Sequence, residues 1–543
     1  MKNKMSSFCG KIKETKFLYL TALMLILIMA FWVRIHNIEN APSGVYPDEA
    51  VNGIDALKAL KSRNYEWFYP DNNGREGLFM NLIAFSFSVF GVTVLGLKFP
   101  SIVFGTLSVL GTYLLTKELF RSRRAGLLAA FFVAFSFWSI NFSRISFRAI
   151  MLPTILTFSF YYIFLGLRTF RGFSIKRGII LNYFYFALAG FIFGIGLHTY
   201  IAFRIAPAIL AVLFLALWIT KRNFIRDYWS QGIIFIIFAF VSMSPILLTF
   251  NAHPEYLTSR SGDISVLSPE VNQGNPVKAL SRSLALSIFK YNIWGDQNWR
   301  HNYPPYPILN PILGVSFLAG LIYLIAKWFH LLFIRLRQGV RDRKFYVYSF
   351  ILAWFFAMLA PEFMTAEGLP HALRSIGTLP AAYIIAVIPI LWLLGKRNRF
   401  DHGFKFATVS FVLILTLLVG FFNTIKYHNF WAGNKKQYDS FEGNLMQLSD
   451  YLKTLPDDSK KIVIARNMQI IPIKLFNYDM PNTFWSHPDS LNSLPEFFKP
   501  DEKKVFILTE KEMWMAEKIM AFYPGTQLKK FEGKFGEAFW TIE

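Results

Sequence analysis

The sequence predicts an α-helical polytopic membrane protein with about eleven transmembrane helices and a small C-terminal α/β domain. Hydrophobic residues make up 54% of the 543 residues and charged residues only 17%, whereas a soluble domain usually carries about 25% charge. Apolar runs close to the roughly 20 residues that a helix needs to cross a bilayer recur along the first 425 residues. After residue 425, charged and apolar residues alternate and no run is long enough to span.

The first predicted span is an uncleaved signal anchor, because no small-residue cleavage site follows it. The eleven predicted spans cover residues 17–33, 94–115, 125–140, 151–167, 182–197, 205–219, 232–250, 307–329, 345–360, 376–394 and 406–425. Residues 77–90 are also apolar, but a helix of this length reaches only about 21 Å at 1.5 Å per residue. We therefore expect an interfacial or re-entrant helix there.

Basic connectors predict the orientation of these spans. With eleven spans, every strongly basic connector falls on the same side as the N-terminus, and the positive-inside rule makes that side cytoplasmic. These connectors are the N-terminus and residues 117–124, 168–177, 221–226, 335–344 and 396–405. The predicted location is the plasma membrane, with a cytoplasmic N-terminus and an extracytoplasmic C-terminal domain.

Charge and cysteine content exclude several classes of protein. The 57 basic and 34 acidic residues give a net charge of +23, but the surplus lies in short connectors between apolar runs. Topology explains it better than nucleic-acid binding, and no nucleic-acid partner is expected. The single Cys9 rules out an internal disulfide framework and a cysteine-rich metal site. The absence of a Walker A motif and of a G-x-S-x-G motif argues against ATP-driven transport and serine hydrolase chemistry.

Two domains are predicted. Residues 1–425 form the membrane domain, whose first outer loop covers residues 35–93. Residues 426–543 form the α/β domain, because short β-branched runs alternate there with helical stretches. We expect helices at 441–455 and 510–522, strands at 461–465 and 504–509, and a closing hairpin at 528–542.

Acidic residues open the first outer loop. Asp48 and Glu49 precede a stretch with helical spacing. Asp48 is either an N-cap, with Glu49 favouring the helix dipole, or a general base that accepts a proton from an acceptor hydroxyl. Further along, Arg75 and Glu76 are either a surface ion pair or part of a cavity. Asp48 and Glu76 together are a possible site for a divalent cation; otherwise no metal or cofactor is predicted with certainty.

Cationic residues lie near the outer ends of several spans. Each one alone is explained by snorkelling to the lipid headgroups, but several cations just inside a bilayer usually mark a substrate path. An anionic lipid phosphate is the expected ligand, since Arg binds phosphate through paired hydrogen bonds. His371 and Arg374 have the spacing of one helical turn. The candidate substrate-binding residues are Arg75, Glu76, Lys98, Arg144, Arg148, His198, Arg204, His371 and Arg374.

For two other histidines the sequence indicates no function. His253 and His301 lie in the long outer loop, and neither belongs to an HxxxH or HExxH pattern. Without a spacing typical of zinc ligands, both are predicted to be structural.

Several motifs together resemble a known family. They are the Asp-Glu pair after the first span, a cation followed by Phe-Pro-Ser-x-x-x-Gly at residues 98–105, Ala-Gly-Leu-Leu-Ala-Ala at residues 125–130, and the Ser143-Arg144 corner. The pattern is similar to that of the GT-C membrane glycosyltransferases, in the protein O-mannosyltransferase and aminoarabinose-transferase-like branch. It covers roughly residues 15–210 and, weakly, residues 368–380.

The resemblance implies a GT-C fold and the transfer of a sugar from a polyprenyl-phosphate donor, with inversion, on the outer face of the membrane. It implies that Asp48 is the catalytic carboxylate and Glu49 its neighbour. Lys98 stands where the mannosyltransferases have an Arg, and Arg144 matches the Arg of their Ser-Arg corner.

Two positions depart from the family pattern. Arg75, Glu76 and Gly77 replace the His-Pro-Pro of the mannosyltransferases, which puts a mannosyltransferase-like acceptor site in doubt. Ala149 stands in place of an acidic residue, which weakens any metal site that needs this residue.

The predicted function is therefore that of a glycosyltransferase acting by single displacement. Asp48 would activate the acceptor, and Arg144, Arg148, Lys98 and Arg374 would bind the donor phosphate. The expected partners are a polyprenyl-phosphate sugar, membrane lipids, and an acceptor that is a protein, a lipid or a glycan. The alternatives are a non-enzymatic lipid-linked glycan transporter or flippase, and an assembly subunit that binds through its α/β domain.

Overall fold

The structure is a computed structural model that describes residues 2–169, 175–258, 265–365, 368–396, 402–489 and 502–543. Among these residues, ten helices are long and apolar enough to cross a membrane, or eleven if one bent pair of helices makes a single span. The prediction of about eleven spans is thus confirmed. The spans are Lys16–Ile35, Val94–Phe120, Arg148–Thr169, Gly178–His198, Ile201–Thr220, Phe224–Ala252, Pro311–Gln338, Arg343–Phe363, Ile376–Gly395 and Phe406–Trp431, with the bent pair Arg123–Ala134 and Phe137–Ser143.

Most of the chain is helical. The helices of the first 300 residues are α1 (Lys2–Ile35), α2 (Pro47–Ser62), α3 (Leu78–Phe90), α4 (Val94–Phe120), α5 (Arg123–Ala134), α6 (Phe137–Phe142), α7 (Met151–Thr169), α8 (Ile175–Ile195), α9 (Ala206–Thr220), α10 (Phe224–Ala252), α11 (Glu255–Thr258), α12 (Pro269–Asn272) and α13 (Pro276–Phe289). Those of the remainder are α14 (Pro311–Gln338), α15 (Arg343–Phe363), α16 (Leu379–Lys396), α17 (His402–Ile425), α18 (Lys435–Ser440), α19 (Gly443–Leu452), α20 (Asn467–Phe476) and α21 (Ala516–Phe522).

The chain divides into two compact units. The first comprises Met1–His36, Glu66–Phe79 and Ser101–Tyr427, and the second comprises Asn37–Tyr65, Met80–Pro100 and His428–Glu543. We call them the membrane unit and the mixed unit. Parts of the first outer loop and the whole C-terminal region thus belong to one unit.

Helices of the membrane unit pack closely where glycine allows it. A Cβ atom at Gly190 of α8 would overlap the carbonyl oxygen of Phe235 in α10, and one at Gly194 would overlap that of Ala239. This four-residue spacing of glycines lets two helix backbones approach, which favours association in a bilayer.

The span predicted over residues 125–140 is the bent pair of helices, in which the chain turns by 60° between α5 and α6. Ser136 is the N-cap of α6, and its hydroxyl accepts a hydrogen bond from the Ser139 N–H. Serine favours such caps because its side chain satisfies an amide that the helix leaves open. The bend turns α6 away from the axis of α5.

The helix predicted between the first two spans is confirmed as α3, which has 13 residues and is too short to span. Two short strands precede it, β1 (Phe68–Tyr69) and β2 (Arg75–Glu76), and they pair antiparallel. Its interfacial location remains a prediction.

The mixed unit contains a five-stranded sheet, which confirms the small α/β domain. The strands are β3 (Lys460–Ile464), β4 (Thr483–Ser486), β5 (Lys504–Thr509), β6 (Leu528–Gly533) and β7 (Gly536–Ile542). The order is β4-β3-β5-β7-β6, with β3 parallel to β4 and β5, and with β7 antiparallel to β5 and β6. Both faces are buried: Ile462 and Ile464 pack on the side of α21, and Val463 packs on the side of α19.

Three details of this unit differ from the sequence-based expectation. The helix predicted over residues 441–455 is confirmed as the shorter α19, Gly443–Leu452; it cannot begin earlier, because Glu442 has a φ of +51° that interrupts the helical path after α18. The expected helix over residues 510–522 begins with a 3₁₀ turn, Glu510–Met515. Helix α20 and strand β4 were missed; Pro472 lies within α20 and obscures the helical pattern.

Candidate functional site

Ionisable and polar groups, most of them buried, gather where three segments of the membrane unit meet. They come from the segment after α13, from the end of α15, and from the turns that precede α16. We call this set the polar cluster; its members are Lys290, Asp296, His301, Glu362, His371 and Ser375. These segments lie on the side that the sequence predicts to be outer.

An ion pair forms one half of the polar cluster. The Lys290 ammonium contacts the Glu362 carboxylate, and neither side chain is exposed to solvent. Lys290 also donates to the Ser375 hydroxyl at 2.7 Å, and Glu362 accepts the backbone N–H of His371 at 2.9 Å. Burial lowers the pKa of Lys290, although the Glu362 carboxylate opposes that change.

Asp296, His301 and His371 form the other half. The His301 Nδ1 and an Asp296 carboxylate oxygen lie 3.1 Å apart, and the same oxygen accepts the Ala372 N–H at 2.7 Å. The two imidazole rings lie 4.8 Å apart between centroids. One potential ligand atom from each of the three residues falls within 4.8 Å of the others, which is typical of residues that can hold a metal ion.

The directions of the pKa shifts of Asp296 and His371 suit metal binding. Burial alone would raise the pKa of Asp296, but hydrogen bonds and charge from His301, charge from His371 and the Ala372 N–H together lower it. Burial, followed by the neighbouring His301, lowers the pKa of His371 well below its usual value. A carboxylate and a neutral imidazole are the forms that coordinate a metal. In addition, the buried Nδ1 of His371 has no hydrogen-bond partner within the described parts of the chain.

Helix α6 holds this half of the cluster in place. Trp138 donates its indole N–H to the Ala372 carbonyl at 3.2 Å, and Asn141 donates to the Arg300 carbonyl at 2.8 Å. The Phe142 ring stacks on His301 with centroids 5.6 Å apart. The bend between α5 and α6 therefore brings three side chains of one short helix against both loops.

The predicted residues Arg75, Glu76 and Arg148 also lie in the membrane unit. Arg148 and Glu76 form a buried ion pair at 2.6 Å, and the Arg148 guanidinium lies over the Tyr200 ring at 5.7 Å. Arg75 is 1% exposed and donates to the Asp71 carbonyl at 3.1 Å. The two residues of β2 are thus buried, unlike the residues of a surface loop.

Arg144 is fully buried and contacts the end of α1. It donates to the Val33 and Arg34 carbonyls at 2.9 and 2.8 Å, and it lies over the Tyr427 ring at 5.4 Å. Burial lowers its pKa, and Tyr427 opposes that change. These contacts satisfy carbonyls that the C-terminus of a helix leaves open.

The remaining cations of the membrane unit have partners of their own. His198 contacts the Ser242 carbonyl through Nε2 at 2.8 Å, and Arg204 donates to the Leu257 carbonyl at 2.8 Å. The expected helical face shared by His371 and Arg374 is wrong, because His371 lies in an irregular segment and Arg374 in a turn. Pro370 precedes these turns and limits helix formation there. The charge of Arg374 nevertheless acts on His371.

In the mixed unit, helix α2 starts one residue before Asp48. The N-cap is Tyr46, whose side chain makes no capping hydrogen bond, so the interpretation of Asp48 as an N-cap is wrong. Asp48 and Glu49 lie in the first turn; Glu49 is fully buried and Asp48 half-buried. Lys98 is also fully buried and donates to the Gly44 carbonyl at 3.2 Å.

Sequence reasoning missed much of the polar cluster. Only His371 was among the candidates, while Lys290, Asp296 and Glu362 were not considered and His301 was assigned a structural role. Asp296 and His301 stand five residues apart in a polar stretch, which is a weak signal. His371 lies 70 residues further along, so no local spacing could reveal the group.

Comparisons with known proteins agree on the fold. Residues 78–248 match the family model of dolichyl-phosphate-mannose-protein mannosyltransferases. No curated protein matches the chain at a significant level. The chain is similar to a crystal structure of ArnT from Cupriavidus metallidurans bound to undecaprenyl phosphate, with a TM-score of 0.56 and 11% identity over 97% of this chain and 98% of that one.

Two archaeal structures are similar as well. One is the oligosaccharyltransferase AglB from Archaeoglobus fulgidus in complex with an inhibitory peptide and a dolichol-phosphate, with a TM-score of 0.53 and 15% identity over 87% of this chain. The chain spans 65% of that protein's length. The other is the A. fulgidus oligosaccharyltransferase in complex with Zn and sulfate, with a TM-score of 0.50 and 14% identity over 95% of this chain and 72% of that one.

The chain is a multi-pass membrane protein with the GT-C fold, and the predicted resemblance to the GT-C glycosyltransferases is confirmed. Within that class it is similar to the dolichyl-phosphate-mannose-protein mannosyltransferases over residues 78–248.

Proposed function

We propose that this protein is a membrane glycosyltransferase that transfers a sugar from a polyprenyl-phosphate donor to an acceptor on the outer face of the membrane. The observation that carries the proposal is the GT-C fold, which matches an undecaprenyl-phosphate-bound structure over nearly the full length of both chains. The partial match to the mannosyltransferase family supports the same chemistry. The acceptor is a protein, a lipid or a glycan.

The reaction is a single displacement with inversion. The acceptor oxygen or nitrogen forms a bond to the anomeric carbon while the bond from that carbon to the phosphate oxygen breaks, and the electron pair leaves with the phosphate. The carboxylate of Asp48 takes the proton of the acceptor. A correctly placed base contributes a factor of about 10²–10⁴. Glu49, buried beside it in the chain, helps to fix the first turn of α2.

Cations stabilise the phosphate as it leaves, which is often the larger contribution. We assign direct contact to Arg148, whose guanidinium is oriented by the ion pair with Glu76. Lys98, Arg204, Arg374 and His198 are further candidates. Arg75 and Arg144 donate to backbone carbonyls, so we assign them positioning roles.

The polar cluster is the place among the described residues that fits a divalent cation, and the pair Asp48 and Glu76 stays a prediction. Asp296, His301 and His371 would hold it, since their ligand atoms are close together and the His371 Nδ1 makes no hydrogen bond to the described residues. Such an ion would supply positive charge that polarises an oxygen of a substrate. The Ala372 N–H keeps the Asp296 carboxylate in position.

The test is release of polyprenyl phosphate from a labelled polyprenyl-phosphate sugar by the purified protein, with a native membrane extract as the source of acceptors. Asp48→Asn is expected to slow release by about 10²–10⁴-fold with unchanged donor affinity and thermal stability. Asp55→Asn, two turns along the same helix, is the matched control.

Wild-type rates in folded Asp48→Asn protein would contradict the assignment of the base. Transbilayer movement of the labelled donor without release of polyprenyl phosphate would instead identify a transporter or flippase.

A further inference from the structure

A second charged region of the membrane unit lies away from the polar cluster. It is a cavity of about 840 Å³ at the ends of helices α4, α7, α9 and α15. Six cationic residues of the described chain line it, together with the carboxylate of Asp227. We call it the basic cavity; its cations are Arg121, Arg168, Lys221, Arg222, Arg341 and Arg343.

One buried carboxylate organises part of the basic cavity. Glu118 of α4 is 1% exposed in its side chain and contacts Arg168 at 2.7 Å and Arg121 at 3.4 Å. The single negative charge of Glu118 is thus shared by two guanidinium groups. Burial lowers the pKa of Arg121. The Glu118 carboxylate raises this pKa, whereas the charges of Arg343 and Arg168 lower it further. The cations therefore repel one another, and an anion would relieve that repulsion.

Arg343 brings another cation to the cavity. It donates to the Leu119 and Glu118 carbonyls, both at 2.9 Å, and so caps the C-terminal end of α4. Its Nε is buried and makes no hydrogen bond to any part of the chain that the structure describes. Buried donors without a protein partner are rare in folded proteins, and such donors commonly bind a water molecule or an ion.

Three of these cations lie at the ends of candidate spans, where lipid headgroups are expected. Arg168 is next to last in α7, Lys221 directly follows α9, and Arg343 is the first residue of α15. All three mark the ends of candidate spans. The positive-inside rule explains why such connectors are basic, but it does not require six cations to line one cavity. Basic pockets between helices on the cytoplasmic side are typical binding sites for anionic headgroups.

We propose that the basic cavity binds the phosphate headgroup of an anionic phospholipid in the predicted cytoplasmic leaflet. Arg222 and Arg341 are exposed and form no ion pair with the described residues, so they are available to a headgroup. Arg343 and Arg121 supply guanidinium groups already fixed by protein contacts. The site is independent of sugar transfer.

Titration of the purified protein in mixed micelles tests this proposal. The measured quantity is the apparent affinity for phosphatidylglycerol, from thermal shifts and native mass spectrometry, with phosphatidylcholine as the zwitterionic comparison. Arg222→Gln/Arg341→Gln is expected to weaken phosphatidylglycerol binding by about tenfold or more, since each cation near an anionic surface contributes substantially. This double variant keeps Arg343, because its removal would take two hydrogen bonds from the C-terminal carbonyls of α4.

The matched control is Arg337→Gln/Lys344→Gln, which removes two exposed cations near helix ends that do not line the cavity. The control should bind like the wild type. Equal binding of phosphatidylglycerol and phosphatidylcholine, or equal losses in both double variants, would overturn the proposal. If inorganic phosphate alone stabilised the wild type and competed fully with phosphatidylglycerol, the ligand would be a soluble phosphate and the lipid assignment would be wrong.

Discussion

At the scale of single residues, specific partners satisfy several of the buried charged groups of the membrane unit. Lys290 and Glu362 are both fully buried and neutralise each other, and Arg34 donates to Ser139, Ser143 and the carbonyls of Ala30 and Ala134. A sequence identifies such residues as unusual, because buried charge is costly. It does not identify their partners.

Replacing Lys290 by methionine should strongly destabilise the protein. Lys290→Met leaves the Glu362 carboxylate buried without its countercharge, and breaking a buried pair in this way costs about 3–5 kcal/mol. The measurement is the Tm of the purified protein in detergent. Lys58→Met, at an exposed lysine 4.0 Å from Asp55, is the control and should change stability by less than about 0.5 kcal/mol. Equal Tm values for the two variants would show that the pair of Lys290 and Glu362 does not contribute to stability.

Removal of one imidazole should abolish metal binding by the polar cluster. We expect wild-type protein to bind Zn²⁺ or Co²⁺ and His371→Ala to lose that binding, because a site with two remaining ligands holds these ions weakly. Metal content after dialysis and the absorption spectrum of bound Co²⁺ are the measurements. His253→Ala, at an exposed histidine beside Glu255, should keep the wild-type metal content. Loss of metal in the control alone would refute the assignment.

At the scale of elements, the bend between α5 and α6 decides where functional side chains lie. It lets Trp138, Asn141 and Phe142 reach the loops of the polar cluster. Hydrophobicity predicted a single helix here because both halves are apolar. The serine cap that divides them is a local feature that apolar content does not reveal.

A small substitution in α4 should disturb the packing around Ser143, the residue that follows α6. A Cβ at Gly105 would overlap the Ser143 hydroxyl, which accepts a hydrogen bond from Arg34 at 3.0 Å. Gly105→Ala is therefore expected to destabilise the protein by about 1–3 kcal/mol through overpacking, measured as a fall in Tm. Gly232→Ala, where nothing lies within 4 Å of the added atom, should be neutral or slightly stabilising. The same Tm for both variants would contradict the expected overpacking against Ser143.

At the scale of the whole molecule, the number of spans and their basic connectors predict the orientation in the membrane. The apolar helices are confirmed by length and composition, while the sidedness rests on the positive-inside rule. A cytoplasmic N-terminus and an extracytoplasmic C-terminal domain follow from that rule.

Cysteine labelling should reveal this orientation. After Cys9→Ser removes the native thiol, Lys453→Cys should react with a membrane-impermeant maleimide in intact cells. Arg226→Cys should react only after the cells are lysed, because it lies in a predicted cytoplasmic connector. Both positions are exposed, so access to the reagent decides the result. Labelling of Arg226→Cys alone in intact cells would reverse the topology.

The sequence by itself determined the membrane character, the number of spans, most strands of the α/β domain and the GT-C resemblance. These properties depend on local hydrophobicity, local periodicity and short motifs, which are present in the chain before it folds. Only the tertiary structure decided that Asp296 and His301 meet His371, that Lys290 meets Glu362, and that six cations line one cavity. These partners lie far apart in the chain, and burial makes their contacts strong only after the helices have packed.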